Sequence, residues 1–347
     1  MVGGGLMPRR SKTNLADVAA RAGVGSATVD RVLNERGNVS PETARRVVEA
    51  ARTLGLRRLL PQSYRGLLRI EVILPRPELP LIDRLLRFLR NRRQSFGRSV
   101  VLLRKVLPDE ESRTVVEALA ATSADAVITY APDDANVREA ISALKARGVP
   151  VVLLLSDLQG SDRLAYAGTD HVRVGRTVGH LMTRIARPGP VVLLSNHLGF
   201  QSHAERVRGF RERLTEDGER LTVAEVVEGH DDPDESFHGL KAALDRHPDV
   251  VGVYNTGAAT AAAGAAIKAC RLAHPPALIG QEVTPDSRRL LRDGVMAFLI
   301  DQNVEGQALY AIAVILHHFG FEEGEHVAFP YASPVTFTLH GPESVPP

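Results

Sequence analysis

Apolar positions along the chain fall into two regimes. Up to about residue 55 they recur every three or four residues. From Arg69 onward they come as short unbroken runs, each followed by an amphipathic stretch. In the first regime Leu15, Val18, Ala19 and Ala22 share one helical face behind Asn14, a good N-cap with Asp17 at the third helical position. Gly23 closes that helix, because glycine takes φ > 0 without steric penalty. A second helix is predicted over Ser26–Leu33, burying Val29, Val32 and Leu33. Ser40-Pro41-Glu42 then supplies a cap, an N1 proline and an acid at the positive end of a third helix. Its apolar stripe is Ala44, Val47, Val48, Ala51 and Leu54, and Gly55 stops it. Two short helices joined by a tight glycine turn and braced by a third predict a helix-turn-helix.

The second regime predicts strands at Ile70–Leu74, Val100–Leu103, Ala126–Tyr130, Val151–Leu155, Val191–Leu194, Val223–Val227, Val250–Tyr254, Ala277–Ile279 and Ala297–Ile300, with helices between them. Unbroken apolar runs mark strands buried on both faces, as in parallel sheets. Repeated βα units give doubly wound α/β layers. The pattern occurs twice, near 69–170 and 189–300, with Arg187-Pro188-Gly189-Pro190 between, and Val335–Leu339 is a last strand that crosses back. The expected fold class is therefore a small all-α head over 12–56, a linker over 57–68 and a two-lobed α/β body of doubly wound parallel sheets over 69–340.

Charge sharpens this division. The net charge of +2 conceals a head and linker, residues 1–68, with 12 Lys/Arg against 5 Asp/Glu, net +7. The remainder has 31 against 36, net −5. A basic head on an acidic body points to a polyanionic partner for the head alone. At 44% hydrophobic and 24% charged residues the chain is an ordinary globular protein. No apolar run reaches the roughly 18 residues of a membrane span. The single Cys270 suits a reducing compartment, and MVGGGLMPRR lacks the apolar core of a secretory signal, so a cytoplasmic location is expected. No P-loop, Gly-x-Ser-x-Gly or His-Glu-x-x-His is present. Gly23-Val24-Gly25 lacks the third glycine of a dinucleotide fingerprint and follows a helix. His230-Asp231-Asp232-Pro233-Asp234 reads as a helix start rather than a calcium loop. Neither catalysis nor a metal or cofactor is expected.

Asn14-Leu15-Ala16-Asp17-Val18-Ala19, Ala22-Gly23-Val24, Thr28-Val29, Arg31-Val32-Leu33-Asn34 and Val39-Ser40 resemble the DNA-binding head of the LacI/GalR family. The resemblance implies that the second helix enters the major groove of operator DNA. Ser26, Ala27 and Arg31 then face base edges, and the arginine fork matches O6 and N7 of guanine. Asn34, Asn38 and Ser40 fall at phosphate or sugar positions, although an asparagine in such a loop serves equally to cap its own backbone. Asn14 joins the DNA-contacting set. Ser26 and Ala27 are smaller than the family's usual readers, which leaves specificity to Thr28, Arg31 and DNA shape. The linker departs further: Arg58 stands where the family has proline, and Pro61 disfavours a hinge helix.

The body resembles the periplasmic-binding-protein fold of that family's effector domain, closest to its sugar-binding type. Ligands of open α/β sheets meet the carboxyl ends of strands. Arg76, Asp133, Asp157, Asn255, Glu282, Asp301 and Gln302 hold such positions, and Arg173 and Arg206 fall where the family often places ligand-binding arginines. Asp133 and Asp157 also suit the N-caps of following helices. Mixed carboxylates, amides and arginines match a ligand with several hydroxyls, a sugar or polyol. With no Trp, an aromatic platform falls to Phe200, Tyr130, Tyr166 or Tyr254. The resemblance thus implies a ligand-controlled transcription regulator, most simply a repressor, acting as a homodimer on a near-palindromic operator. The body alone also suits a transporter's solute-binding protein, and the head also suits a ligand-independent regulator or activator.

Overall fold

The computed structural model describes residues 14–346, apart from 35, 55–66, 97–98, 219, 271, 273 and 321–333. Most of the expected linker, 57–66, lies outside the described residues. The body begins at Leu68, the first residue of its first strand.

In the head, α1 (Leu15–Ala22), α2 (Ser26–Leu33) and α3 (Pro41–Thr53) form three short helices. Asn14 caps α1 reciprocally: its Oδ1 accepts from the Ala16 and Asp17 amides at 2.8 and 3.0 Å, and Asp17 Oδ2 accepts the Asn14 amide at 2.9 Å. Gly23 ends α1 at φ +65°. Gly25 occupies the N-cap of α2 and supplies no side-chain cap. Val18, Val29, Val32, Val47 and Val48 fill the small core between the three.

The first lobe is a five-stranded, wholly parallel sheet in the order β2-β1-β3-β4-β5. Its strands are β1 (Leu68–Pro75), β2 (Val100–Leu107), β3 (Ala126–Thr129), β4 (Val151–Leu154) and β5 (Ala165–Ala167). β3 and β4, the uninterrupted runs AVIT and VVLL, are buried along their whole length because helices cover both faces. β2 lies at an edge and turns Arg104 to solvent, which blocks pairing by another strand. α4 (Pro80–Arg92) covers one face, and α5 (Ser112–Ala120) and α6 (Ala135–Ala146) cover the other.

The second lobe contains β6 (Gly189–Ser195), β7 (Leu221–Glu228), β8 (Gly252–Asn255), β9 (Ala277–Gln281), β10 (Met296–Asp301) and β11 (Thr338–His340), ordered β11-β10-β9-β8-β6-β7. Its helices are α7 (His171–Ile185), α8 (Gln201–Glu216), α9 (Pro233–Arg246), α10 (Thr260–Ala269) and α11 (Pro285–Arg292). β11 starts three residues later than the expected Val335 and runs antiparallel to β10, the exception in an otherwise parallel sheet.

The lobes exchange elements. α12 (Val304–His318) follows the second lobe's β10 but buries Val304, Ala308, Ile312 and Ile315 in the first lobe's core. α7 follows the first lobe's β5 but packs Val174, Val178 and Met182 in the second. The described chain therefore crosses at 167–171 and 301–304, and β11 lies back on the second sheet.

α7 and α8 approach one another through glycine. A Cβ on Gly175 would collide with the Arg206 carbonyl oxygen and sit 2.8 Å from the Phe210 nitrogen, and one on Gly209 would collide with the Val172 carbonyl. Backbone cannot yield as a flexible side chain does. Gly175→Ala and Gly209→Ala should each destabilise the body by about 1–3 kcal/mol or more, measured as a lower urea midpoint. An unchanged midpoint would show that the helices separate without cost.

Candidate functional site

The carboxyl ends of strands from both sheets meet across a closed cleft. Leu79 follows β1, Tyr130 β3 and Leu155 β4. From the second lobe come Asn196 after β6, Asp231 after β7, Gly257 and Ala258 after β8, Gln281 and Glu282 at the end of β9, and Gln302 after β10. Leu81 and Ile82 of α4 and Ser202, His203 and Arg206 of α8 complete the wall. The interior is small, with about 40 Å³ of room for the centre of a water-sized sphere. That suffices for a few waters and is far below the several hundred Å³ of an open ligand pocket.

Arg206 organises the second-lobe wall. It is only 4% exposed. Its Nη1 donates to the Thr256 carbonyl at 2.6 Å, Nη2 to Gln302 Oε1 at 3.2 Å and Nε to His171 Nδ1 at 3.2 Å. His171 therefore carries its proton on Nε2, which donates to the Leu155 carbonyl of the opposite lobe at 2.7 Å. Burial, reinforced by Arg206, holds the pKa of both His171 and His203 well below the ordinary histidine range, and both rings are neutral. Gln302 passes the network on, its Nε2 donating to Glu282 Oε1 at 2.5 Å.

Three buried polar atoms are left over. Asn196 Oδ1 and Gln281 Oε1 are acceptors without a hydrogen-bond partner, Glu282 Oε2 is a carboxyl oxygen without one, and all three residues line the cavity. A buried polar atom without a partner costs about 1–3 kcal/mol, so the three together favour a guest with several polar groups. Burial pushes the Glu282 carboxyl up to about 8, with the neighbouring Asp301 adding to the rise and Arg206 and Arg84 opposing it. Glu282 is also held at φ +66°, in the left-handed region, which turns it inward immediately after Gln281.

Cross-lobe contacts ring the cavity. Arg84 of α4 donates to Asp301 Oδ2 at 2.5 Å and pairs with Glu305 at 2.6 Å. Arg76 Nη1 donates to the His230 carbonyl at 2.5 Å and Nη2 to the Asp231 carbonyl at 3.4 Å. The Asp133 amide donates to the Gly199 carbonyl at 2.9 Å and the Ser202 amide to Ser156 Oγ at 3.1 Å. Tyr130 stacks on Phe200 with ring centroids 4.7 Å apart.

Of the expected ligand residues, Arg206, Glu282 and Gln302 line the cavity, while Arg76 and Asp301 hold its cross-lobe rim. The other four stand apart. Asn255 is buried behind the wall, where Nδ2 donates to Thr260 Oγ1 and Oδ1 accepts the Gly257 amide. Asp157 forms a two-pronged pair with Arg163 at 2.5 and 2.7 Å. Asp133 pairs with Arg138 near the surface, and its neighbour Asp134, not Asp133, caps α6. Arg173 is exposed on α7, pairing with Asp170 at 3.3 Å. Tyr130 alone of the four expected platform aromatics lines the cavity; Phe200 lies beneath it, Tyr254 bonds Gln281, and Tyr166 bonds the Leu155 carbonyl. Sequence reasoning passed over Asn196, Gln281, Asp231, Ser202 and His203. The strand-end rule reaches Asn196 and Gln281, and His203 lies one helical turn before Arg206.

On the head, Ser26, Ala27 and Arg31 are exposed along α2, and Thr28 is half-buried beside them. Asn34 folds back on α2, its Nδ2 donating to Asp30 Oδ1 at 2.6 Å, and Asp30 pairs with Arg36 at 2.8 Å. Ser40 Oγ accepts the Thr43 amide at 3.2 Å, capping α3, and Asn38 is exposed at φ +58°.

Residues 14–58 match the family described as bacterial regulatory proteins, lacI family, and residues 107–323 match the periplasmic binding protein domain. The HTH-type transcriptional regulator AscG of Escherichia coli (strain K12) is 26% identical over 67% of the chain and 70% of its own length. The ribose operon repressor of Halalkalibacterium halodurans is 26% identical over 82% of the chain and 81% of its own. GanP, a glucose-galactose binding protein from Geobacillus stearothermophilus, superposes on 80% of the chain and 99% of its own with a TM-score of 0.68 at 19% identity, a likeness of fold.

The raised Glu282 carboxyl has a measurable consequence. Between its ordinary pKa of 4.5 and about 8, the folded protein keeps a proton that the unfolded chain releases, so stability falls as pH rises through that window. In Glu282→Gln this contribution vanishes. From pH 5 to 8 the variant should gain stability relative to the parent, by on the order of a few kcal/mol, in urea unfolding. Parallel profiles would refute a proton on Glu282.

Proposed function

The chain belongs to the periplasmic binding protein domain family and carries a lacI-family regulatory head, and from that premise we propose that it is a sugar-responsive, DNA-binding transcriptional repressor. The observation that carries this reading is the union, in one chain, of a helix-turn-helix exposing Ser26, Ala27 and Arg31 with an interlobe cavity whose buried acceptors lack donors. It acts as a cytoplasmic homodimer, two heads meeting two half-sites of an operator. The effector is a sugar or polyol, whose hydroxyls donate to Asn196 and Gln281 and accept from the protonated Glu282 carboxyl and from groups such as the Ser202 hydroxyl. The names of the regulators it resembles, a ribose operon repressor among them, support a sugar in this role. A transporter's solute-binding protein would need no helix-turn-helix, so that alternative is not favoured.

Regulation follows from closure. The cavity is too small for a ring sugar as it stands, so the lobes part along the Arg84–Asp301 and Arg76–His230 contacts to admit one. A ligand shifts operator affinity only if it binds the two lobe arrangements unequally, and about 1–3 kcal/mol of coupling suffices for release.

The direct test is a gel shift on DNA upstream of the gene, with thermal shifts against pentoses, hexoses and inositols. Salt-sensitive, sequence-selective binding and stabilisation by at least one sugar are expected. Binding that ignores sequence would overturn the regulator reading. Arg31→Ala should weaken operator binding by about 1–3 kcal/mol at one base position. A uniform loss over all sequences would make Arg31 a phosphate contact instead.

A further inference from the structure

We propose that His197, Glu228 and His230 form a binding site for a divalent transition-metal ion at the rim of the interlobe cleft. The two imidazoles and the carboxylate each offer a ligand atom, and the three atoms lie within 4.8 Å of one another. Two histidines and a glutamate are the donor set of a three-ligand zinc site that keeps a fourth position for water. Metal–ligand bonds of about 2.0–2.2 Å bring such atoms closer together than this. All three side chains are exposed, so rotamer changes alone supply the difference.

The topology makes the cluster rather than chance proximity on a flexible surface. β6 and β7 are parallel neighbours with Ser195 opposite Glu228, so the loops after both strands leave the same sheet edge together. The Gly229 and His230 amides donate to the Ser195 and Asn196 carbonyls at 2.9 and 3.3 Å, which fixes one loop on the other. His230 is further oriented for a ligand. Its Nδ1–H donates to Glu235 Oε2 at 2.8 Å, leaving the Nε2 lone pair for a metal. A carboxylate behind the far nitrogen is the usual support of a metal-bound imidazole. Glu228 Oε2 accepts the Leu198 amide at 2.7 Å, and its other oxygen remains for the ion.

The position gives the site a role. Without an ion His197 Nδ1 accepts the Gly199 amide at 3.0 Å, so metal binding exchanges that bond for a metal bond from the ring, while the Gly199 carbonyl accepts the Asp133 amide of the first lobe. The His230 carbonyl accepts from Arg76, also of the first lobe. A metal joining His197 to His230 therefore ties together the two second-lobe loops that grip the first lobe, and the ion and the cleft ligand act on the same closure.

The test is isothermal titration of Zn²⁺ into the full chain, freed of metal by chelation and carrying no affinity tag, with visible absorption of Co²⁺ as a second readout. One bound ion per chain and a Co²⁺ spectrum with a histidine-ligated signature are expected. Both should be lost in H197A/H230A and weakened in E228Q and E235Q, while H318A, which removes a histidine far along the sequence, keeps them. Circular dichroism identifies a misfolded variant, and E228Q, an isosteric change at an exposed residue, decides the matter if the double variant does not fold. Absence of binding to the parent chain, or titrations unchanged in E228Q and the double variant, would overturn the site. Neither readout depends on DNA or sugar, so the result stands apart from the regulatory reading.

Discussion

A guanidinium buried without a carboxylate beside it governs the architecture of the cleft. Removing a charge from water costs several kcal/mol even after the protein relaxes. Arg206 recovers that cost through neutral acceptors, the Thr256 carbonyl, Gln302 and His171, and among the described residues no carboxylate comes within ion-pair distance of it. Each acceptor sits at the end of a different element, β8, β10 and α7. Burial, reinforced by the same charge, keeps His171 neutral, so that one ring nitrogen accepts from the arginine and the other donates across the lobes. The glycines of α7 and α8 lie in the same contact, Gly175 against the Arg206 backbone and Gly209 against that of Val172, next to His171.

Around that fixed centre the lobes are held by charge rather than by a shared apolar core. Arg84 reaches two acids of the crossing segment at once, and Arg76 reaches two carbonyls. Glu305 is partly exposed but Asp301 is buried, so parting Arg84 from them requires water to reach the acid in its place. The Tyr130–Phe200 stack is the main apolar element of the contact. Such an interface suits the opening proposed for the cleft, whereas the sheets behind it are packed on both faces.

The sequence made the head legible almost residue by residue, because caps, stripe and glycine stop are local signals, each visible within one helical turn. Most strands of the body were equally legible as apolar runs; the three-residue β5, AYA, is too short to make one. What the runs could not disclose was the lobe to which α7 and α12 belong. An apolar helical face states that it will be buried, not against which sheet. The site was legible where a polar residue follows a strand and turns inward, as at Glu282 and Gln302. At Asn255 the same signal marks a side chain spent on its own turn, and at Asp157 one spent on Arg163, partners that only the folded chain brings together. Asp231 stayed hidden because Asp232 beside it accounts for the helix start, and it does cap α9, while Asp231 turns to the cavity.

The crossing of α12 bears on how the molecule is made. The first lobe's core is not complete until Val304, Ala308, Ile312 and Ile315 have joined it, yet its last strand ends at Ala167. During synthesis at roughly 5–20 residues per second, the face that α4 covers in part waits on the order of 8–30 s for α12, the rest of its cover. The second lobe is translated in the interval and must form beside an unfinished neighbour. A chain stopped anywhere before α12 would thus expose apolar strands of the domain made first, and the nascent protein's exposure to aggregation is set by its last long helix.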